Sequence, residues 1–334
     1  MARILIIAFV WLALITALHY RLNFDLGQRQ LVRMGYMPVI TNLAAPLLDY
    51  ASREGEGLRF TALKFTSFAE MAEALRNGNI EAAFIIAPLA IVLRQQGEDV
   101  KIVYIGNRNE STLVVGKNST ARRIRDLSGM TIAVPMRYSG HNLSISQLME
   151  THGLNGMINV VEMNPPDMPA ALVAGGLDGY YVGEPFAAQT LQSGDARRLF
   201  YVEEVWPNFI CNVMLVKQSL IKNNPRVVQA LVQGAARSGL WARQNITAAA
   251  GIASSYWNQP AELIQYALSH PEGRVVFDRF VPQPDQLQQM AELMVRYGLT
   301  ETNNIDGLVE GRFAEKTSLS HIDTFDTILQ SANE

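Results

Sequence analysis

The sequence predicts an α/β protein of two lobes, each a mixed, mostly parallel sheet flanked by helices. Three observations carry this. From residue 31 onward, apolar runs of strand length alternate with capped segments of helical period, the pattern of parallel strands joined by crossover helices. The pattern restarts after about residue 117. The length, 334 residues, exceeds one ordinary core and suits two.

Composition fits a well-packed globular chain, with 49% hydrophobic and 18% charged residues. The net charge is −3 and no basic block stands out, which argues against nucleic-acid binding. The single cysteine, Cys211, excludes an internal disulfide and a cysteine-cluster metal site. It lies in an apolar run and reads as a buried, inert thiol. No cofactor is implied.

Arg3 precedes an apolar run over residues 4–18. This suits a secretory signal core and falls short of the roughly 20 residues that span a bilayer. Ile15-Thr16-Ala17 offers a cleavage site. The rival is an uncleaved anchor, with His19, Tyr20 and Arg21 at the interface. No cysteine follows the run, so a lipoprotein anchor at that point is excluded. Residues 1–26 are therefore expected to be a signal peptide or N-terminal membrane anchor with its linker, the polar stretch 23–30 leading into the fold.

The elements follow in order. LVRMGY (31–36) is a strand, and Thr41 or Asn42 can cap the helix after it. Residues 60–65 form a second strand. Ser67 and Glu70 have capping-box spacing, and Asn77-Gly78 ends that helix. Residues 80–86 form a strand, and Pro88 opens a helix that ends at Gly97. Strands over 100–105 and 112–115 complete the first half. The second has a short polar helix at 122–127, a strand at 131–134, a helix from about His141 to His152 and a strand at 159–163. A short helix, a strand at 179–182, another helix and a strand near 198–202 follow. After a strand at 212–217 the chain reads as helical, with Pro225 at the first position of a long helix and further helices near 246–257, 260–267 and 284–297. Lobe I is expected over 27–116 and 211–334, with the C-terminal helices covering it, and lobe II over 117–210. Two crossings, near 115–118 and 210–213, join them and form a hinge.

Candidate site residues lie where strands end and helices begin, because ligands of open α/β sheets bind there. Glu184 ends the strand GYYV (179–182), with Pro185 read as the first helical residue. It is either a helix-start charge, stabilising by itself, or a ligand hook. Facing a cleft, it would repel a bare anion and require a ligand donor or a nearby cation. His141, after Tyr138-Ser139-Gly140, sits at a helix start whose free N–H groups attract anions and can add a donor, charged or neutral. Ser139 reads as a helix cap more than a nucleophile, since no G-x-S-x-G surrounds it. In the first lobe the strand ends are Pro38 with Thr41, Thr66 with Ser67, and Ala87 with Pro88. Each suits ordinary capping, and together they converge on one cleft. The five histidines are scattered with no metal-ligand spacing, and no P-loop or G-x-G-x-x-G occurs.

These residues carry a resemblance. GYMP (35–38) with APL (45–47), LRNG (75–78) with EAA (81–83), APL (87–89), GHN (140–142), PPDM (165–168) and above all DGYYVGEP (178–185) are similar to the substrate-binding proteins of the nitrate/sulfonate/bicarbonate (taurine) ABC-transporter family. The resemblance spans roughly 31–243. It implies a two-lobed periplasmic binding protein fold of the second type, non-enzymatic. A small anion or organic solute would lie in the interlobe cleft, His141 and Glu184 matching the family's motif positions. ABC permease and ATPase subunits are the implied partners, in the periplasm or another extracytoplasmic space. Nitrate- and bicarbonate-binding relatives carry a lysine in the segment returning to the first lobe. Here that segment, WPNFICN (206–212), has none. Glu184 is therefore expected to lack a cation and to favour a ligand with a donor group. A membrane-anchored sensing module is the second reading. An enzyme like the thiamine-pyrimidine synthase relatives is the third, disfavoured because those use a cysteine-rich motif.

Overall fold

The computed structural model describes residues 2–23, 29–54, 57–322 and 324–329. Most of the polar stretch expected over 23–30 lies outside the described residues. The chain begins with α1 (Ala2–Asn23), then β1 (Leu31–Tyr36), α2 (Ala44–Ala51), β2 (Arg59–Lys64), α3 (Phe68–Arg76), β3 (Ala82–Ile86), α4 (Ala87–Gln95) and β4 (Val100–Ile105). It continues through β5 (Ser111–Gly116), β6 (Thr131–Val134), α5 (Gly140–His152), β7 (Asn159–Glu162), α6 (Met168–Val173), β8 (Gly179–Gly183), α7 (Phe186–Ser193), β9 (Ala196–Tyr201) and α8 (Val202–Val205). Last come β10 (Asn212–Lys217), α9 (Gln218–Asn223), α10 (Pro225–Gln244), α11 (Ile246–Trp257), α12 (Ala261–Ser269), α13 (Pro284–Arg296) and α14 (Arg312–Glu315).

Two five-stranded sheets result, ordered β2-β1-β3-β10-β4 and β7-β6-β8-β5-β9. In each, the first three strands are parallel and the fourth runs antiparallel to both its neighbours. The fourth strand is in each case the one that arrives from the other lobe. This corrects the expected boundary, which placed 112–115 with the first half. The chain crosses at 106–110, and β5 enters the second sheet between β8 and β9. An apolar run pairs equally well with either sheet, so its pattern carries no sign of which one it joins.

The hinge also differs from the two expected crossings. Arg108 pairs antiparallel with Ile210 and with Val276, so residues 274–279 form a third hinge segment. The buried Arg108 guanidinium fastens all three, donating to the carbonyls of Asn208 (2.7 Å) and Arg279 (3.0 Å) and to Oε1 of Gln286 (2.9 Å). Burial lowers its pKa to about 10, so it stays charged at neutral pH.

Helices α10, α11 and α12 cover one face of the first sheet, around Met34, Leu47, Phe84, Leu231 and Ile264. A second apolar cluster runs through both lobes, from Ile85 and Ile91 to Leu143 and Tyr180, and takes in Leu287 and Met290 of α13. Helix α13 leads to Arg296 and Tyr297, which meet Glu150 of α5 at 2.5 and 2.9 Å. The lobes are thus in direct contact.

Local differences from expectation have local causes. Residues 40–42 form a 3-10 turn, and neither Thr41 nor Asn42 caps α2. Asn42 is occupied elsewhere, donating to the Met37 carbonyl and accepting from Asn212. Pro185 occupies the N-cap of α7 rather than its first position, after a cis Glu184–Pro185 bond. The polar helix at 122–127 is a single 3-10 turn, Ile124–Leu127. The N-terminal helix α1 exposes Phe9, Trp11, Leu12 and Ile15. Among the described residues, no helix is long and apolar enough to cross a membrane.

Candidate functional site

Glu184 is brought to the interface of the two lobes, and both its carboxylate oxygens are already engaged. Its side chain is 4% exposed. Oε1 accepts from the Thr112 hydroxyl at 2.7 Å, and Oε2 from the Ala188 N–H in the first turn of α7 at 2.8 Å. Its own carbonyl accepts the Ile40 N–H of the first lobe at 2.8 Å. The first-lobe donor therefore meets the second lobe directly.

The expected lack of a cation is corrected by Arg274, from the third hinge segment. Its Nη1 lies 3.5 Å from Glu184 Oε1, its Nε donates to Glu203 at 2.9 Å, and its Nη2 donates to the Ser111 carbonyl. The guanidinium stacks over the Tyr201 ring at 4.1 Å. Burial raises the Glu184 pKa and Arg274 opposes that rise.

A second carboxylate lies beside the first. Glu110 is fully buried and accepts the Glu184 N–H at 2.7 Å. A Cβ on Gly183 would come within 2.9 Å of both Glu110 carboxylate oxygens, so only glycine lets this side chain lie there. Burial raises the Glu110 pKa to about 7; a bond from Cys211 opposes the rise and the charge of Glu184 adds to it. Cys211 is buried as expected, and burial pushes its thiol well up.

His141 is 1% exposed, with Nε2 at 2.9 Å from the Ser111 hydroxyl and its ring edge-on to Tyr181 and Phe209. Burial lowers its pKa to about 3, which favours the neutral ring. Its Nδ1 has no partner among the described residues. Ser139 caps α5 by accepting the Asn142 N–H at 3.1 Å, a contact worth about 1 kcal/mol.

The other strand ends divide. Pro38 and Pro88 are buried, and the Ala87 N–H is taken by the Cys211 carbonyl at 3.0 Å. The Thr41 hydroxyl is buried and unpartnered. Thr66 is exposed, and Ser67 caps α3 through the Glu70 N–H. Ser67 and Phe68 line an open cavity of about 430 Å³ with Met136, Glu162 and Asp167, and neither His141 nor Glu184 reaches it. Among the described residues, no group of three or more His, Cys, Asp or Glu side chains is arranged to hold a metal ion.

Sequence reasoning missed Asn107, Glu110, Ser111, Thr112 and Arg274. Residues 107–111 lay between two expected strands with no role assigned, yet Asn107, Arg108, Glu110, Ser111 and Thr112 are all buried. Their one signal was two charges between two apolar strands.

Two such sheets, each lending a strand to the other across a hinge, define the periplasmic binding protein fold. The ligand-binding component of an ABC-type import system from Staphylococcus aureus superposes with a TM-score of 0.78 at 22% identity, covering 87% of this chain and all of that one. The nitrate-binding protein NrtA from Synechocystis gives 0.72 at 17% identity, covering 86% and 88%. The chain belongs to the NMT1-like family, whose model matches residues 27–255. The taurine-binding periplasmic protein of Escherichia coli is 30% identical over 177 residues, which are 52% of this chain and 54% of that protein. The match thus spans about half the length of that relative.

Proposed function

We propose that this chain is an extracytoplasmic, non-enzymatic solute-binding receptor of an ABC importer. It takes a small anion or polar organic solute between its lobes, and the closed form is what the permease and ATPase subunits recognise. The observation that carries this reading is the buried polar floor, with neutral His141 and the Thr41 hydroxyl, at a hinge between two sheets. Relatives described as taurine-binding and nitrate-binding support it. Thr41 and His141 contact the solute; Ser139, Pro38, Ala87 and Pro88 hold the backbone around them; Thr66 and Ser67 stand at the rim. Glu184 acts as the floor's anchor. Solute favours the closed form by binding it better than the open one. Calorimetry against anions, sulfonates and small heterocycles tests this. The expected outcome is a ligand tighter than ~1 mM that also lowers the radius of gyration in X-ray scattering; no such ligand counts against a receptor.

A second reading, a membrane-anchored sensing module of the same fold, is favoured by the exposed apolar surface of α1, where Phe9 is 72% exposed. The mass of the protein recovered from membranes separates the two. A chain that retains residues 1–18 supports the anchor, and one that begins after them supports a cleaved signal.

A further inference from the structure

Three side chains at the hinge, each 1% exposed, carry polar atoms with no partner among the described residues: the Thr41 hydroxyl, both the oxygen and the nitrogen of the Asn107 carboxamide, and Nδ1 of His141. Native proteins rarely leave buried polar groups unpaired, so such atoms ask for an explanation. The hinge ladder ties each of these to residues 106–107 or 209–211. Arg108 pairs antiparallel with Ile210, which sets Asn107 against Cys211 and Gly106 against Asn212. The Gly106 N–H accordingly donates to the Asn212 carbonyl at 3.2 Å. Gly106 lies so close to Thr41 that a Cβ would stand 2.7 Å from its hydroxyl. Two residues before Cys211, the Phe209 ring meets that of His141, with centroids 5.5 Å apart.

The cations beside these residues are already engaged. Arg274 is committed to Glu184, Glu203 and the Ser111 carbonyl, and Arg108 to two carbonyls and Gln286. Glu110 and Glu184 place two carboxyl groups beside these residues. An anion would be desolvated there beside the Glu184 carboxylate and the Glu110 carboxyl, and neither of these two arginines is free to pair with it. The carboxamide of Asn107 presents a planar donor and acceptor side by side, the complement of another amide edge.

We infer that Thr41, Asn107 and His141 form the solute-contacting strip, and that it takes an uncharged solute bearing amide-type N–H donors and carbonyl acceptors, of the urea, carboxamide or lactam class. The inference rests on the receptor reading above and narrows its substrate.

Calorimetry on the full chain with urea, nicotinamide and uracil against nitrate, methanesulfonate and taurine tests it. An amide-bearing probe should bind at least about tenfold tighter than every charged one, with little dependence on salt. Asn107→Leu should weaken that probe at least about tenfold while the melting temperature of the ligand-free protein holds or rises, because an unpaired polar group has been removed. Thr41→Val should act in the same direction and serves if Asn107→Leu does not fold. Tightest binding of nitrate, methanesulfonate or taurine overturns the uncharged class and leaves the receptor standing. Binding of none of the six tighter than ~1 mM overturns both. An Asn107→Leu or Thr41→Val protein that melts earlier yet binds the amide probe unchanged overturns the strip.

Discussion

Glu110 and His141 both contact the Ser111 hydroxyl, and burial drives both toward the neutral form from opposite sides. The Glu110 carboxyl is raised from 4.5 to about 7 and the His141 ring lowered from 6.5 to about 3. Their effects on stability therefore have opposite signs. The contribution of Glu110 is fully present below pH 4.5 and is lost as pH rises through 7. That of His141 is present above pH 6.5 and is lost as pH falls toward 3. Replacing Glu110 with Gln removes the first of these. In urea unfolding, Glu110→Gln should gain on the parent between pH 4 and pH 8 by an amount on the order of 3 kcal/mol. Gly106 makes a second test at this scale. A Cβ there would stand 2.0 Å from the Thr41 carbonyl oxygen, a backbone atom that cannot rotate away. Gly106→Ala should cost about 1–3 kcal/mol or more, read as a lower urea midpoint.

Among the elements, the third hinge segment matters most, because it delivers Arg274 to Glu184. Removing one partner of a buried ion pair leaves the other charge uncompensated, at about 3–5 kcal/mol. Arg274→Met should lose stability of that order. The double variant with Glu184→Gln should lose less than the two single changes summed, as a double-mutant cycle in urea would measure. This pair also shows where the sequence stops being legible. The strand LVRMGY, the Ser67 and Ser139 caps and the first-position Pro225 were readable because each depends on neighbours within a few residues. Glu184 was readable as a strand end for the same reason. Its cation lies 90 residues away in an irregular stretch, and no spacing rule links the two. Asn107 and Glu110 were hidden because a polar run between strands looks the same whether it faces water or is buried in a hinge.

At the scale of the molecule, the apolar cluster shared by both lobes and the α13 bridge to Glu150 make the two sheets one packed body. Helix α1 stands outside it, with its described large apolar side chains more than half exposed. A chain beginning at Arg29 should therefore unfold at the same temperature as the full chain, within about 1 °C, by calorimetric scanning. The strand exchange between sheets has a further consequence, in time rather than in space. Among the described strands of the first sheet, β4 pairs with β10, which is completed only when Lys217 has been made. A growing chain emerges N-terminus first. Until nearly two-thirds of it has been synthesised, the first sheet has a gap in its middle and an unpaired strand beyond it. The first half of the chain therefore holds no complete sheet of its own, and the order of synthesis sets when that sheet can close.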